Sequence, residues 1–309
     1  MILAIDLGGT EVKIGLADEQ GKLYQKTSAS VSFDAYRTPI QHTAIKAAEE
    51  FLRVCPGDIR GVAVSACGQI DPATGTVIGT NGKIPGYEGT NLKAEMEQAF
   101  GKETWVLNDA DAAALGECFA GRAKGLQDVI LVTLGTGVGG GVVTGGRLLQ
   151  GRRGIAGELG HFTLRADGRR CSCGKRGCYE QYASTTALVA RCEAAAGRSG
   201  LNGKIIFQEA EQGEGAFCAE LTDWIRDIAE GLTGLTHIFN PEMILIGGGV
   251  SAQEALLIQP LREMILREAM PRFTENLRIE RALLGNDAGM IGAVCFWLDC
   301  HEKGKPGDC

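Results

Sequence analysis

The chain has 309 residues, of which 44% are hydrophobic and 22% are charged, and its formal net charge is −7. This composition is that of an ordinary folded protein with enough apolar residues for two domains, at roughly 100–200 residues per domain. The negative charge disfavours broad binding to nucleic acid or to an anionic membrane, where Lys and Arg must neutralise phosphates. We therefore expect neither partner.

The first residues, MILAIDLGGTEVKIG, do not resemble a targeting segment. The apolar start is short and lacks both a basic lead and a small-residue cleavage site, which argues against a signal peptide. No apolar run approaches the roughly 20 residues of a membrane span. We therefore expect a cytoplasmic protein, in which thiols stay reduced and clustered cysteines bind metal more often than they pair.

Strand and helix patterns alternate along the chain. The sequence predicts two strand-turn-strand units at 5–16 and 131–143, a hairpin turn at 18–21, helices at 41–54, 111–121 and 217–239, and buried strands at 59–66, 104–107 and 244–250. Strands that alternate with helices predict the α/β class. The two glycine-rich units share one plan, which indicates an internal repeat with one copy in each domain.

The glycine turns are candidate anion sites. In IDLGGTEVKIGL, Gly8 and Gly9 would allow close approach of backbone N–H groups to phosphate, and Thr10 and Lys13 would add a hydroxyl and a charge. Asp6 at the strand end suits Mg²⁺, directly or through water. The alternative is a hairpin whose glycines serve geometry alone. The spacing fits neither a P-loop nor a Rossmann fingerprint, since VV rather than a helix follows GTGVGGG.

Asn108 and Asp109 lie where a strand meets a helix, in WVLNDADAAALGE. One interpretation makes Asp109 or Asp111 the N-cap of that helix. The other makes Asp109 a general base, because open α/β sheets place ligands at the carboxyl ends of strands and a carboxylate there can accept a proton from a hydroxyl. The helix dipole would keep it ionised. Asp111 ranks below Asp109 for this role.

A metal-ligand pattern, H-x9-C-x-C-x4-C, is formed by His161, Cys171, Cys173 and Cys178. Three thiolates and an imidazole complete a tetrahedral Zn²⁺ set with no open position, which predicts a structural site. The first pair is spaced C-x-C rather than the common C-x₂-C, so unassigned thiols remain an alternative. A disulfide and a nucleophilic cysteine are weaker alternatives, the first because the compartment is expected to be reducing.

Six segments run in the order found in the ROK family (repressors, open reading frames and sugar kinases), which the chain resembles over nearly its whole length: AIDLGGTEVKIGL, LNDADAAALGE, VTLGTGVGGGVV, GIAGELGH, CSCGKRGCYEQYAS and LIGGGV. The resemblance implies the actin/hexokinase-like (RNase H-like) fold, two α/β domains with a cleft between them, and a homodimer. The expected domains are residues 1–108, joined by a C-terminal helix at about 288–309, and residues 109–287, which carry the zinc module at 161–178.

The resemblance also implies an activity, transfer of the γ-phosphate of ATP, bound with Mg²⁺, to a sugar hydroxyl, usually the 6-hydroxyl, with Asp109 as general base. The residues implied to contact the sugar are Gly68, Lys83, Asn108, Asp109, Glu158, His161 and Glu180. Those implied for the nucleotide are Asp6, Gly8, Gly9, Thr10, Lys13, Gly135, Thr136, Gly137, Gly247 and Gly248. His161 would then bind both the sugar and the zinc.

Two segments depart from the pattern of glucose kinases in this family. Lys83 and Tyr87 in KIPGYEG stand where NLPGW has Asn and Trp, and Cys67 and Gln69 in ACGQID stand where PGPVD has prolines. Glucose is the first expectation, and N-acetylmannosamine or another N-acetylhexosamine is the alternative. A ROK-type transcriptional regulator is remote, because the first glycine-turn strand begins at Ile2 and leaves no room for a preceding DNA-binding domain. A non-catalytic sensor is equally remote, since Asp109 and both glycine turns are intact.

Overall fold

The computed structural model describes residues 1–55, 57–80 and 82–304. The end of the predicted C-terminal segment, residues 305–309, lies outside the described residues. None of the helices in the described ranges combines the length and apolar character needed to cross a bilayer. The strands are β1 (Ile2–Leu7), β2 (Glu11–Ala17), β3 (Leu23–Ser30), β4 (Gly61–Ala66), β5 (Gln69–Asp71), β6 (Thr76–Gly79), β7 (Thr104–Asn108), β8 (Val129–Leu134), β9 (Val138–Thr144), β10 (Arg147–Leu148), β11 (Met243–Gly247) and β12 (Arg278–Arg281).

Helices separate most of these strands, so the α/β prediction is confirmed. The α-helices are α1 (Ile40–Val54), α2 (Leu92–Phe100), α3 (Asp109–Phe119), α4 (Glu180–Ala183), α5 (Thr185–Ala196), α6 (Gly203–Glu211), α7 (Gly215–Phe239), α8 (Gln259–Glu268), α9 (Pro271–Thr274) and α10 (Ala288–Lys303). The predicted helices at 41–54, 111–121 and 217–239 correspond to α1, α3 and α7.

The chain divides into two compact units. Of the described residues, those within 1–125, 141–157 and 283–309 form the first unit, and those within 126–140 and 158–282 form the second. Three separate segments of the chain therefore make up the first unit. The boundary between residues 140 and 141 falls within β9. The division into domains at residues 108 and 287 stays a prediction.

The sheet of the first unit has the order β3-β2-β1-β4-β7. Strands β1, β4 and β7 run parallel, so their carboxyl ends meet at one edge. The antiparallel pairing of β1 with β2 sets Asp6 opposite Lys13, and the parallel pairing with β4 sets Asp6 beside Ser65. Ala66 in turn pairs with Asn108. The register thus places Asp6, Lys13, Ser65 and Asn108 in one polar row, at the edge of the sheet where Asp109 begins α3.

Helix α3 is held close to α10 because small residues line their contact. A Cβ on Gly292 of α10 would overlap the carbonyl oxygen of Ala112, and one on Gly116 of α3 would overlap that of Ala288. Only glycine permits this backbone approach, which packs α3 tightly within the unit. The first residue of α3, Asp109, therefore projects from a rigid element.

The second sheet has the order β10-β9-β8-β11-β12. Strands β8, β11 and β12 run parallel, and the register pairs Thr133 with Gly247. The turn after β8 and the glycines after β11 therefore leave the same edge of the sheet. Gly248, with φ +89°, packs against the carbonyl of Leu134 at the end of β8.

Candidate active site

The junction of β7 and α3 is organised by Asn108. Its side-chain oxygen accepts hydrogen bonds from the backbone N–H groups of Ala110 and Asp111, at 2.9 and 3.2 Å. Asn108 is thus the N-cap of α3, and the interpretation of Asp109 or Asp111 as the cap is wrong. The Asp109 carboxylate does not cap the helix. It accepts hydrogen bonds from the Ala110 N–H at 2.9 Å and from the Asn108 side-chain amide at 3.1 Å.

The same Asn108 amide joins the loop after β4 to this junction. Its Nδ2 donates to the carbonyl oxygen of Gly68 at 2.8 Å. Gly68 has φ +94°, a backbone conformation that favours glycine. The structure therefore brings together Gly68, Asn108 and Asp109, three of the residues predicted to contact the sugar. Lys83, also predicted there, is exposed.

Asp109 has a raised pKa. Desolvation by the surrounding protein is the largest cause, the negative charge of Asp6 adds to it, and together they raise the pKa of Asp109 to about 6. Asp109 is nonetheless exposed to solvent, so a substrate hydroxyl can reach it. A carboxylate with this pKa is a stronger base than an ordinary aspartate and is still mostly ionised at neutral pH.

Asp6 is held by two side chains of the polar row. Lys13 Nζ lies 2.9 Å from Asp6 Oδ2, and Ser65 Oγ donates to Asp6 Oδ1 at 2.7 Å. Ser65 is fully buried and was missed from the sequence. The available signal was a single polar residue inside the otherwise apolar strand GVAVSA. The carboxylate keeps further lone pairs, which suit a magnesium ion held through water.

Some backbone amides of the two glycine turns donate hydrogen bonds to carbonyl groups close by in the chain. Gly8 N–H donates to the carbonyl of Glu11, and Gly135 N–H to that of Gly137, each at 3.0 Å. Within the described residues, no hydrogen bond is formed by four other turn amides, those of Gly9, Thr10, Thr136 and Gly137. Those four N–H groups are free to donate to an anion.

Glu180, the first residue of α4, packs against the second glycine turn. Its Oε2 accepts a hydrogen bond from the Val138 N–H at 3.1 Å, and a Cβ on Gly137 would overlap the same oxygen. Glu158 and His161 share one short 3₁₀ turn, in which the His161 N–H donates to the Glu158 carbonyl at 3.0 Å. These three residues and Gly137 all belong to the second unit.

The predicted metal ligands converge. One ligand atom from each of His161, Cys171, Cys173 and Cys178 lies within 4.8 Å of all the others. His161 Nδ1 is 3.6 Å from Cys171 Sγ, and Cys173 Sγ is 3.5 Å from Cys178 Sγ. Zn–S bonds of about 2.3 Å in a tetrahedron separate neighbouring ligands by about 3.8 Å, so this set fits zinc. The described cysteines are free thiols, which contradicts the disulfide alternative.

The two departures from the glucose-kinase pattern lie side by side. Tyr87 is 2% exposed and belongs to the core against which Cys67 packs. Burial raises the pKa of the Cys67 thiol to about 12, and the negative charge of Asp109 adds to the shift. Burial also raises the pKa of Tyr87, and the Asp109 charge contributes there too. Cys67 is therefore a protonated packing residue close to Asp109 rather than a nucleophile.

Comparison with known proteins decides the family. The model of the ROK family matches residues 2–300. The chain belongs to the ROK family. A glucokinase of Thermotoga maritima is 34% identical over 310 residues, which cover 95% of this chain and 96% of that protein.

Solved ROK structures agree with the fold of this chain. A ROK glucokinase from Streptomyces griseus, in complex with glucose and AMPPNP, is 32% identical with a TM-score of 0.82, over 95% of this chain and 98% of that one. A putative N-acetylmannosamine kinase from Listeria monocytogenes is 29% identical with a TM-score of 0.83, over 97% and 99%. The predicted family and the predicted actin/hexokinase-like fold are confirmed.

Proposed function

We propose that this ROK protein is an ATP-dependent sugar kinase that transfers the γ-phosphate of ATP to the 6-hydroxyl of a hexose, with glucose as the first candidate. The observation that carries the proposal is Asp109, an accessible carboxylate of raised pKa held by Asn108 at the end of β7. The full-length similarity to glucokinases supports the same reaction class.

Asp109 acts as the general base. It accepts the proton of the 6-hydroxyl as that oxygen attacks the γ-phosphorus, and ADP leaves with the electrons of the broken P–O bond. Phosphoryl transfer depends mainly on positioning and on neutralising charge, so one well-oriented base suffices. The Asn108 amide orients the base, because it donates both to Asp109 and to the Gly68 carbonyl.

The two glycine turns hold the phosphates. The free N–H groups of Gly9 and Thr10, and those of Thr136 and Gly137, supply donors without adding side-chain bulk. Asp6 would hold the Mg²⁺ that accompanies ATP, and that ion neutralises phosphate charge when bound. Lys13 holds Asp6 in place through their ion pair. Gly247 and Gly248 lie beside the adenosine.

The residues proposed to hold the sugar are those implied by the family resemblance, namely Gly68, Lys83, Asn108, Asp109, Glu158, His161 and Glu180. The convergence of His161 with three cysteines supports a structural zinc ion that fixes the imidazole on the turn it shares with Glu158. A zinc ion held by these four ligands would have no open position and so would take no part in phosphate transfer.

N-acetylmannosamine is the second candidate substrate. Tyr87 and Cys67 lie near Asp109, at the positions where this chain departs from glucose kinases. A smaller ring than Trp at position 87 would leave more room beside the base. The similarity to a putative N-acetylmannosamine kinase supports the same alternative. A homodimer is proposed from the family resemblance alone.

A coupled assay of ADP release tests the proposal over glucose, mannose, fructose, allose, N-acetylmannosamine and N-acetylglucosamine. The expected result is turnover of at least one of them, with kcat/KM ranking the candidates. Phosphate must appear on the 6-hydroxyl, which ³¹P–¹H NMR of the product detects. Absence of turnover with all six sugars would overturn the kinase proposal as stated.

A further inference from the structure

The carbonyl oxygens of the first glycine turn are held by the segment that follows β3. Tyr36 Oη donates a hydrogen bond to the Gly9 carbonyl oxygen at 2.9 Å, and the Val31 N–H donates to that of Thr10 at 3.0 Å. Neither donor belongs to the turn, and neither takes part in the proposed chemistry. The peptide that joins Gly9 to Thr10 is thus fixed on one side by a phenol.

A fixed carbonyl also fixes an amide. A peptide bond is planar and almost always trans, so the carbonyl oxygen of one residue and the N–H of the next point in opposite directions. The Gly9 carbonyl and the Thr10 N–H belong to the same peptide. Because Tyr36 holds the oxygen, the Thr10 N–H points away from Tyr36, and it forms no hydrogen bond within the described residues. The Tyr36 hydroxyl therefore orients one of the four free turn amides.

The backbone around Tyr36 has an unfavourable conformation. Ala35 has φ 58° and Tyr36 has φ 62°, in the left-handed region that residues with a side chain rarely adopt. The Asp34 carboxylate stabilises this bend, since it accepts hydrogen bonds from the N–H groups of Arg37 and Thr38 at 3.1 and 2.9 Å. The Tyr36 side chain also packs against the core of the first unit. The segment therefore maintains a strained backbone that directs the phenol at the turn.

The second glycine turn is held in the same way by the start of α5. Thr186 Oγ1 donates to the Thr136 carbonyl oxygen at 2.8 Å, and the Thr185 N–H donates to that of Gly135 at 2.9 Å. By the same geometry, the N–H groups of Thr136 and Gly137 point away from these donors. Among the described residues, neither amide forms a hydrogen bond. Each turn is thus oriented within its own unit, by different residues.

We propose that Tyr36 and Thr186 are positioning residues for phosphate, whose hydroxyls hold the two glycine turns so that the N–H groups of Thr10 and Gly137 are directed to the phosphates of the nucleotide. The proposal rests on the proposed function, because it takes these turns as the phosphate sites. Donors that are already oriented need no rearrangement when a phosphate binds or when charge develops during transfer. The two hydroxyls act through the turn peptides and not on the phosphates themselves.

Removal of each hydroxyl tests the proposal. Tyr36→Phe keeps the packing of the ring, and Thr186→Val keeps the shape of the side chain. Calorimetric titration with AMPPNP and with inorganic tripolyphosphate, each with Mg²⁺, measures phosphate binding with and without the nucleoside. We expect the affinity for both ligands to fall by about threefold to tenfold in each variant, the effect of one hydrogen bond. The KM for the sugar should not change.

Two control variants separate orientation from a general loss of stability. Thr186→Ser keeps a hydroxyl at the same position, so it should restore the affinity for tripolyphosphate that Thr186→Val loses. Tyr24→Phe removes an exposed phenol that donates to Asp18, and its affinity for AMPPNP should equal that of the wild type. The Tm of every variant is measured alongside.

Contrary results bear on the two proposals differently. Unchanged affinity for both ligands in either variant overturns the role of that residue and leaves the kinase proposal intact. A sugar KM that rises in parallel with the loss of AMPPNP affinity, together with a lower Tm, assigns the hydroxyls to folding and also overturns the positioning role. Wild-type protein that binds AMPPNP but phosphorylates no sugar overturns the kinase proposal alone. Wild-type protein that binds neither AMPPNP nor tripolyphosphate overturns both.

Discussion

The carboxylate of Glu180 occupies the space that a side chain at position 137 would need. A Cβ on Gly137 would overlap Glu180 Oε2, and that oxygen accepts the N–H of the next residue, Val138, at 3.1 Å. Gly137 therefore serves two purposes in the proposed kinase. Its amide is proposed to donate to a phosphate, and its lack of a side chain leaves room for Glu180, the proposed sugar contact.

Gly137→Ala is expected to weaken sugar binding more than nucleotide binding. The added methyl displaces Glu180, and a hydrogen bond to a charged group contributes about 1.5–3 kcal/mol. The sugar KM should therefore rise by about tenfold or more, with a smaller change in the KM for ATP. Steady-state kinetics with each substrate varied in turn measures this split.

Gly135→Ala is the matched control in the same turn. A Cβ there meets no atom within 4 Å, and its φ is not positive. We expect a much smaller rise in sugar KM than for Gly137→Ala. Equal effects of the two substitutions on sugar KM would show that the turn, and not the position of Glu180, sets sugar affinity.

Asp109→Asn should abolish phosphate transfer while sugar binding persists. The amide keeps the shape of the side chain but cannot accept the hydroxyl proton, and loss of general-base catalysis costs about 10²–10⁴ in rate. Measurement of kcat by ADP release, with calorimetric titration of the sugar, separates the two effects. A phosphorylation rate equal to that of the wild type would remove Asp109 from the mechanism.

The pH profile reports the same residue. A base works only when deprotonated, so kcat/KM for the sugar should fall as the pH drops through about 6, the raised pKa of Asp109. The negative charge of Asp6 contributes to that shift. Asp6→Asn should therefore move the acidic limb to lower pH, whatever it does to the KM for ATP. A limb that stays in place in Asp6→Asn contradicts the assigned coupling.

The sequence predicted the parts of this site that are local in the chain. Asn108 and Asp109 were found because a strand ending and a helix starting can both be read from neighbouring residues. The candidate zinc ligands were found because their spacing is compact. The α/β class followed from the alternation of strands and helices, and the family resemblance supplied the actin/hexokinase-like fold.

What the sequence did not predict depends on contacts between distant segments. Ser65 meets Asp6 only because β4 pairs with β1, and the capping of α3 by Asn108 rather than an aspartate depends on side-chain direction. The hydrogen bonds that the Gly8 and Gly135 amides donate to nearby carbonyl groups likewise follow from turn geometry. In the helical run DAAALGECFAG, Glu117 resembles an ordinary helix-forming residue, so the burial of its side chain could not be predicted.

The proposed zinc site predicts a stoichiometry. Protein purified without added metal and dialysed should hold about one equivalent of zinc per chain, and Cys173→Ser should hold less than about half an equivalent. Cys173 is exposed, so its replacement removes a ligand without opening the core. Inductively coupled plasma mass spectrometry measures the metal. The Tm and the sugar affinity should fall together, because His161 loses its anchor.

Cys218→Ser is the control for this substitution. Cys218 lies on α7, away from the four ligands, so zinc content and sugar affinity should stay at wild-type values. Chelation of the wild type should reproduce the Cys173→Ser phenotype, since binding free energy of a structural metal contributes to folding. Metal-free wild-type protein with unchanged Tm and sugar KM would contradict a structural zinc.

Glu117 is expected to be the most sensitive charged residue outside the proposed site. It is fully buried on α3, where Oε1 accepts the N–H groups of Leu283 and Leu284 at 2.7 Å and Oε2 accepts that of Arg122 at 2.8 Å. Glu117→Ala removes three hydrogen bonds to a buried charged acceptor, each of which contributes about 1 kcal/mol or more. The free energy of unfolding in urea should therefore fall by at least about 3 kcal/mol.

Two further variants separate this buried contact from helix propensity. The unfolding free energy of Glu117→Gln should lie between those of the wild type and Glu117→Ala. The glutamine amide keeps one acceptor oxygen, but its NH₂ group faces a backbone N–H donor. Glu50→Ala, an exposed change on α1, should alter the unfolding free energy by less than about 0.5 kcal/mol. If Glu117→Ala proved as stable as Glu50→Ala, the segment before α10 would not depend on Glu117. Where folding is retained, the sugar KM of Glu117→Gln should match the wild type, since Glu117 acts on stability rather than on the substrate.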